Sequence, residues 1–185
     1  MVSQLKVNEI IKQSGSSITI GESGDTVSIP SGATFNVAGS SVTAVDNTPY
    51  FIAGKGGSQT SVSDNAYTQV TYVTEVADSG DNYASSTFTA PSAGNYFFSA
   101  NVTISPNSGN AIQTVLQFYK NGSGLDDYRA TLITEGMEIA QQQLVISGLI
   151  SLAASDTIKV YAKMNTDSGN ATFADGQFSG FKIIG

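Results

Sequence analysis

The sequence predicts an all-β protein, an antiparallel jelly-roll sandwich preceded by an N-terminal ladder of short strands. Two observations carry this prediction. Beyond residue 49, about eight stretches are rich in β-branched and aromatic residues or alternate apolar with polar ones, and Gly, Pro, Asn or Asp separates them. Before residue 47, much shorter apolar triplets recur among Gly and Ser. The length of 185 residues accommodates one ordinary domain and an extension.

The first 16 residues leave two local structures open. Leu5 and Val7 alternate as in a strand, whereas Val7, Ile10 and Ile11 also fit one turn of a helix. The sequence alone does not choose between them.

The ladder follows, with triplets that begin at residues 18, 27 and 35. Each triplet offers two apolar side chains to one face, which is too few to form a core within one chain. Units of this size occur in solenoids and intertwined fibre stems, where neighbours complete the core. A flexible linker is the alternative, although linkers rarely carry regularly placed Ile, Val and Phe. The residues predicted to mount the protein or to form a trimeric ladder are Leu5, Val7, Ile10, Ile18, Ile20, Val27, Ile29, Phe35 and Val37.

Longer apolar runs begin after Asn47-Thr48-Pro49. The predicted strands are residues 66–76, 83–90, 95–104, 111–119, 128–133, 139–152, 157–164 and 178–184. Asn121-Gly122 is a strong signal for a tight hairpin turn, and Ser155-Asp156 predicts another turn. Residues 135–143 have competing helical propensity, which we expect the sheet context to override.

Composition excludes several classes of function. Charged residues make up only 12% of the chain, the net charge is −7, and the basic residues are scattered, so no patch is expected to bind nucleic acid. No apolar run reaches about 18 residues, which predicts no membrane insertion. The start lacks a secretory signal and the chain has no Cys, so we do not expect a secreted, disulfide-stapled module.

No pattern of residues predicts catalysis, a cofactor or a metal site. The chain has no His and no Cys, and no Ser lies in a nucleophile elbow. Asp126-Asp127 is the only adjacent acidic pair and reads as a solvated turn, and residues 54–57 lack the spacing of a phosphate-binding loop. Asp126, Asp127, Asp167 and Asp175 could offer oxygen ligands to calcium, but no EF-hand spacing supports this. We therefore expect a protein that is not an enzyme.

Four motifs after residue 48 are distinctive. They are PYFIA at 49–53, FTAP at 88–91 with GNYFFS at 94–99, SDTIKV at 155–160, and FSGFKII at 178–184. In this order they resemble the complement-type globular heads, which belong to the tumour-necrosis-factor-like jelly rolls. The resemblance covers residues 49–185 and implies a ten-stranded antiparallel jelly roll that forms a tight trimer about a threefold axis.

Aromatic residues of these motifs are candidates for the trimer axis or the core. The candidates are Tyr96, Phe98, Phe178 and Phe181. In the last motif, Gly180 removes a side chain where another backbone or ring is expected to come close.

The opening of the chain resembles a second group of proteins. LKVNEI at 5–10 and VSIPSGATFNV at 27–37 resemble the N-termini of structural proteins from tailed phages, especially phages of marine bacteria. The Gly-X-Y stalk that precedes complement-type heads in animals is missing. We therefore expect residues 1–47 to mount a head of residues 48–185 on the surface of a virion, on the capsid or the tail, after synthesis in the host cytoplasm.

Two functions follow from these resemblances. The first is a non-enzymatic trimeric virion protein, either a capsid decoration (cement) protein or a short head or tail fibre, whose partners are itself and the major capsid protein or another virion protein. The alternative is a receptor-binding module whose loops recognise a host surface glycan or protein. Tyr83, Tyr119, Tyr128 and Tyr161 could stack on a sugar, although tyrosines in strands more often lie in a core or an interface.

Overall fold

The computed structural model describes residues 20, 25–28, 31–32, 48–135 and 137–183. The chain divides into two compact units, Met1–Thr43 and Ala44–Gly185. Within the described part of the first unit, Ile20 and Val27 are exposed, residues 25–28 are not in a strand, and residues 31–32 lie in a turn. The other predicted ladder residues lie outside the described residues: Leu5, Val7, Ile10, Ile18, Ile29, Phe35 and Val37. The mounting role of residues 1–47 stays a prediction.

The second unit is an antiparallel sandwich of two sheets, which confirms the all-β prediction. Its strands are β1 Tyr50–Gly54, β2 Gln59–Val62, β3 Thr68–Gln69, β4 Thr74–Asp78, β5 Tyr83–Ala84, β6 Thr87–Thr89, β7 Gly94–Pro106, β8 Ala111–Lys120, β9 Ser123–Ile133, β10 Gln142–Leu152, β11 Thr157–Thr166 and β12 Ala171–Lys182. Sheet A has the order β10-β7-β12-β1-β4, and β2 pairs with β12. Sheet B has the order β5-β6-β11-β8-β9, and β3 pairs with β11.

The connections between the sheets confirm the jelly roll. From β6 onward the chain crosses from sheet B to β7, returns to β8 and β9, and then alternates through β10, β11 and β12. Strands that are neighbours in sequence therefore lie mostly in different sheets, as in a jelly roll. The described residues form twelve strands, where the family resemblance implied ten; ten follow the orders given above, and the short strands β2 and β3 are added beside β12 and β11.

Aromatic rings fill the space between the sheets. The ring of Phe51 stacks on Tyr83 and on Phe88, at centroid distances of 4.7 and 5.1 Å, and meets the edge of Phe178 at 4.8 Å. Tyr96 and Phe98 are fully buried in the same cluster. The sequence left two roles open for Tyr96, Phe98 and Phe178, in the core or at the trimer axis. All three lie in the core.

The described residues correct two local predictions and confirm a third. The predicted strand at 66–76 is interrupted, because Val70 and Tyr72 turn inward as buried residues between β3 and β4. The predicted strand at 83–90 is a hairpin, because Ser85 and Ser86 adopt φ of 49° and 59° between β5 and β6. Residues 135 and 137–141 form no helix, as expected, although among the described residues of the stretch 135–143 only Gln142 and Gln143 join a strand, β10. Within the described residues no helix is long and apolar enough to cross a membrane.

Two buried threonines provide a test of polar burial in this core. The hydroxyl of Thr114 on β8 is buried without a partner among the described residues, whereas the hydroxyl of Thr166 on β11 lies 3.1 Å from Asp64 Oδ1. We expect Thr114→Val to raise the free energy of unfolding by about 1 kcal/mol, because it removes an unsatisfied group, and Thr166→Val to lower it by about 1 kcal/mol or more. Denaturant unfolding at one fixed protein concentration measures both. Equal destabilisation by the two changes would contradict the assignment of Thr114 as unpaired.

Candidate functional site

The outward face of sheet A carries a continuous apolar row across four strands. Leu149 of β10 lies opposite Phe97 of β7, Phe97 lies opposite Phe181 of β12, and Phe181 lies opposite Tyr50 of β1. The exposed fractions of Leu149, Phe181 and Tyr50 are 47%, 37% and 44%, and the rings of Phe97 and Phe181 lie 5.5 Å apart. We call these four residues the aromatic row.

Small and uncharged side chains lie beside the aromatic row. The adjacent row consists of Ser147, Ser99, Ser179 and Ile52. The row after that contains Val145, Asn101 and Gln177. No Asp, Glu, Lys or Arg occurs in the three rows, which we call together the assembly face. Short side chains beside the rings allow another protein surface to approach the sheet closely.

Electrostatics distinguish the assembly face from the rest of the molecule. The chain carries a net charge of −7, so copies that gather around an axis repel one another. A contact that buries charge also incurs a desolvation cost of several kcal/mol per unpaired ion. The assembly face avoids the desolvation cost and adds no like charge at the contact itself, because its rows contain no acidic or basic side chain. Its chemistry therefore suits contact with further copies of the same chain.

The edge of the sandwich next to this face is closed by Tyr128 of β9. Its hydroxyl donates a hydrogen bond to the carbonyl oxygen of Leu149, and its ring occupies the space that Gly148 leaves by having no Cβ. Beside it lies an open cleft of about 190 Å³, lined by Asp127, Tyr128, Arg129, Ala130, Val145, Ile146 and Ser147. The assembly face thus continues to the edge where the two sheets meet.

Of the aromatic residues that the sequence singled out, only Phe181 lies on the assembly face. Tyr50, Phe97 and Leu149 were not predicted there. Phe97 stands between Tyr96 and Phe98, so alternation along the strand shows that it faces the opposite way, but not which way is outward. The pairing register supplies that information, and the sequence does not.

The four tyrosines considered as sugar platforms have different environments. Tyr83 is buried and donates a hydrogen bond to the carbonyl oxygen of Tyr72 at 2.8 Å, and burial raises its pKa to about 12. Tyr128 closes the sandwich edge, as described above. Tyr119 and Tyr161 remain on the outward face of sheet B, stacked on each other with ring centroids 4.0 Å apart.

The four acids that could have held a metal do not gather in one place: Asp126 and Asp127 lie in β9, Asp175 lies in β12, and Asp167 lies in the loop after β11. Asp126 accepts hydrogen bonds from Gln117 and Arg129, and Asp167 accepts from Asn110 across two loops. Within the described residues no group of three or more acidic side chains is placed to hold a metal ion.

Lys55, the residue directly after β1, is a buried cation. Its side chain is only 4% exposed, and its ammonium group donates hydrogen bonds to the carbonyl oxygen of Gly57 and to Thr71 Oγ1, both at 3.2 Å. Burial lowers the pKa of Lys55. The segment after β1 is therefore anchored rather than loose.

No protein-family model matches the sequence, and no curated protein matches it. Among solved structures, the globular domain of the zebrafish complement 1qA protein is similar to this chain. The two are 18% identical, the match covers 74% of this chain and 98% of that one, and the TM-score is 0.49.

Proposed function

We propose that the protein is a non-enzymatic, homotrimeric structural component of a tailed-phage virion. In this proposal the assembly face forms the contacts between protomers, and residues 1–47 mount the head on the particle. The observation that carries the trimer is the exposed aromatic row on an uncharged sheet face. The virion role is supported by the resemblance of residues 5–37 to phage structural proteins.

Burial of the aromatic row supplies the driving force for assembly. Removing apolar surface from water contributes roughly 25 cal/mol per Å². Leu149, Phe181 and Tyr50 are each more than one third exposed in the single chain. Because the rows of the assembly face are uncharged, that face adds no desolvation of ions to the contact.

A cyclic trimer requires two different patches on each protomer, since each chain contacts one neighbour with one patch and the other neighbour with another. The assembly face supplies the first patch. The edge formed by β9 and β10, with its cleft and with Tyr128, supplies the second. Val145 and Ser147 of β10 lie where the two patches meet, and a face-to-edge contact repeated three times forms a ring when its rotation closes.

Mounting through three N-terminal segments increases the strength of attachment. Once one segment of a trimer is bound, the other two are held close to their sites, so weak single contacts combine into firm attachment. This mechanism serves a capsid decoration protein and a short fibre equally. Labelling the protein on intact virions and locating the label on capsid or tail separates the two.

The test is to measure oligomeric state and virion association with the same tagged chain. Light scattering is expected to give three times the mass of one chain. When the full-length tagged chain is supplied during infection, the purified particles are expected to contain that chain. A chain that begins at residue 48 is expected to remain trimeric but to be absent from the particles. A stable monomer would contradict the trimer, and a full-length chain absent from particles would contradict the virion role. Truncated chains found on particles would contradict the mounting role of residues 1–47.

A further inference from the structure

The outward face of sheet B has a different chemistry from the assembly face. Tyr161 of β11 and Tyr119 of β8 stack with an interplanar angle of 27°, and the ring of Tyr67, just before β3, lies 6.0 Å from Tyr119 at 56°. All three rings are partly exposed, and Tyr67 is 39% exposed. Their hydroxyls have no hydrogen-bond partner among the described residues. We call these three residues the tyrosine cluster.

One lysine lies on either side of Tyr161 along β11. Lys159 and Lys163 are two residues before and after Tyr161, so all three side chains project from the same face of β11. The ammonium group of Lys163 lies 5.2 Å from the centre of the Tyr67 ring, within the range of a cation–π contact. No described carboxylate forms an ion pair with either lysine. Both positive charges are therefore available to a ligand.

The nearby carboxylate of Asp126 already has two partners. Asp126 Oδ1 accepts a hydrogen bond from Gln117 at 3.0 Å and pairs with Arg129 at 3.1 Å. Burial, then the neighbouring Tyr67 and Tyr161, then Asp126, raise the pKa of Tyr119, so its hydroxyl stays a neutral donor at physiological pH. The cluster thus combines aromatic rings, free hydroxyls and two unpaired positive charges in a chain whose net charge is −7.

We propose that the tyrosine cluster binds an acidic saccharide, a pyranose chain that carries carboxylate groups. The apolar C–H faces of a pyranose pack on aromatic rings, the phenol hydroxyls exchange hydrogen bonds with sugar hydroxyls, and a carboxylate is attracted to Lys159 and Lys163. The site lies on a sheet face, not in the loops where the sequence placed a receptor-binding surface.

A single-stranded nucleic acid could also stack on tyrosines, but the charges disfavour it. Such ligands need a positively charged groove that follows several phosphates. Two lysines on a strongly acidic chain do not provide that groove, whereas one or two carboxylates on a saccharide match them. The observations therefore favour the saccharide.

The inference goes beyond the proposed function, because the tyrosine cluster and the assembly face lie on opposite outward faces of the sandwich. A trimer that buries the assembly face would leave three clusters exposed. Weak single-site binding would then be strengthened on any surface that presents repeated acidic sugars.

The experiment probes a glycan array with the full-length chain. The array carries uronic-acid and sialic-acid oligosaccharides and matched neutral oligosaccharides. Retention on carboxylated glycans is expected, with little on neutral ones. Tyr161→Ala, and separately the double change Lys159→Gln with Lys163→Gln, are each expected to weaken retention by at least about tenfold. The lysine variants alter only partly exposed side chains, so they test the site even if Tyr161→Ala perturbs the strand.

Controls come from the same chain. Ile133→Ala changes an exposed side chain on the same sheet, and Lys182→Gln removes a lysine from the other sheet, so both are expected to retain glycans like the unmodified protein. Absence of carboxylated-glycan binding, equal binding of neutral glycans, or retention unaffected by both cluster variants would each overturn the proposal. Preferential binding of oligothymidylate through the same residues would replace the saccharide with a nucleic acid.

Discussion

The Phe181→Asp chain is expected to be a monomer at micromolar concentration, where the unmodified chain is expected to be a trimer. The change removes an aromatic ring from the centre of the aromatic row and places a carboxylate on a face that contains no acidic or basic side chain. In a trimer this happens at three related positions, and each buried, unpaired carboxylate costs several kcal/mol. Sedimentation velocity or light scattering measures the result directly.

The matched control is Ile133→Asp on β9. Ile133 is 60% exposed and projects from the outward face of sheet B, so the same charge is added and an exposed apolar side chain is lost, but away from the assembly face. This variant is expected to stay trimeric. A trimeric Phe181→Asp chain would contradict the assignment of the assembly face, and dissociation of both variants would show that the loss of the trimer is not specific to that face.

The Gly180→Ala chain is expected to lose about 3 kcal/mol of unfolding free energy, at the upper end of what an overpacked core costs. A Cβ at Gly180 would lie 2.7 Å from Phe98 Cε1 and 2.9 Å from Phe51 Cε1, so two packed rings would have to move. Denaturant unfolding measures the loss. The sequence predicted a close approach at Gly180, and the contacts with Phe98 and Phe51 confirm it.

Gly57→Ala is the matched control for this change, because nothing lies within 4 Å of a Cβ built there, and its effect is expected to stay within about 0.5 kcal/mol. Combining Gly180→Ala with Phe98→Leu makes room for the added methyl group. The double variant is therefore expected to lose less than the sum of the two single changes. Full additivity, or a stable Gly180→Ala chain, would contradict the packing account.

The two predictions separate assembly from folding on one strand. Gly180 faces the core and Phe181, its neighbour on β12, faces outward. Gly180→Ala is expected to change the unfolding free energy, whereas Phe181→Asp is expected to change the association state while the sandwich stays folded. Measuring both quantities for both variants shows whether the two faces of β12 act independently.

Local patterns in the sequence determined much of the fold. Alternating apolar residues predicted β7, β8, β10, β11 and β12, because in a half-buried strand burial repeats every second residue. The turn at Asn121 was also predictable, since Asn121 adopts φ of 51° and Gly122 adopts 84°, the left-handed values that such a hairpin turn requires. The interrupted strand at 66–76 was not predictable, because Val70 and Tyr72 turn inward to fill the core and their apolar character alone does not show this.

By itself, the sequence determined the long strands β7, β8, β10, β11 and β12, the two-sheet class, the place where a glycine was needed and the absence of catalytic histidine and cysteine. Only the tertiary structure decided which faces of those strands are exposed. Tyr96, Phe97 and Phe98 are similar in composition, and the packing of sheet A on sheet B buries Tyr96 and Phe98 in the core and leaves Phe97 on the outward face. Likewise, Tyr67, Tyr119 and Tyr161 lie far apart in the chain and meet only because β3, β8 and β11 pair in one sheet. A surface site depends on register between distant strands, and local periodicity carries no information about that register.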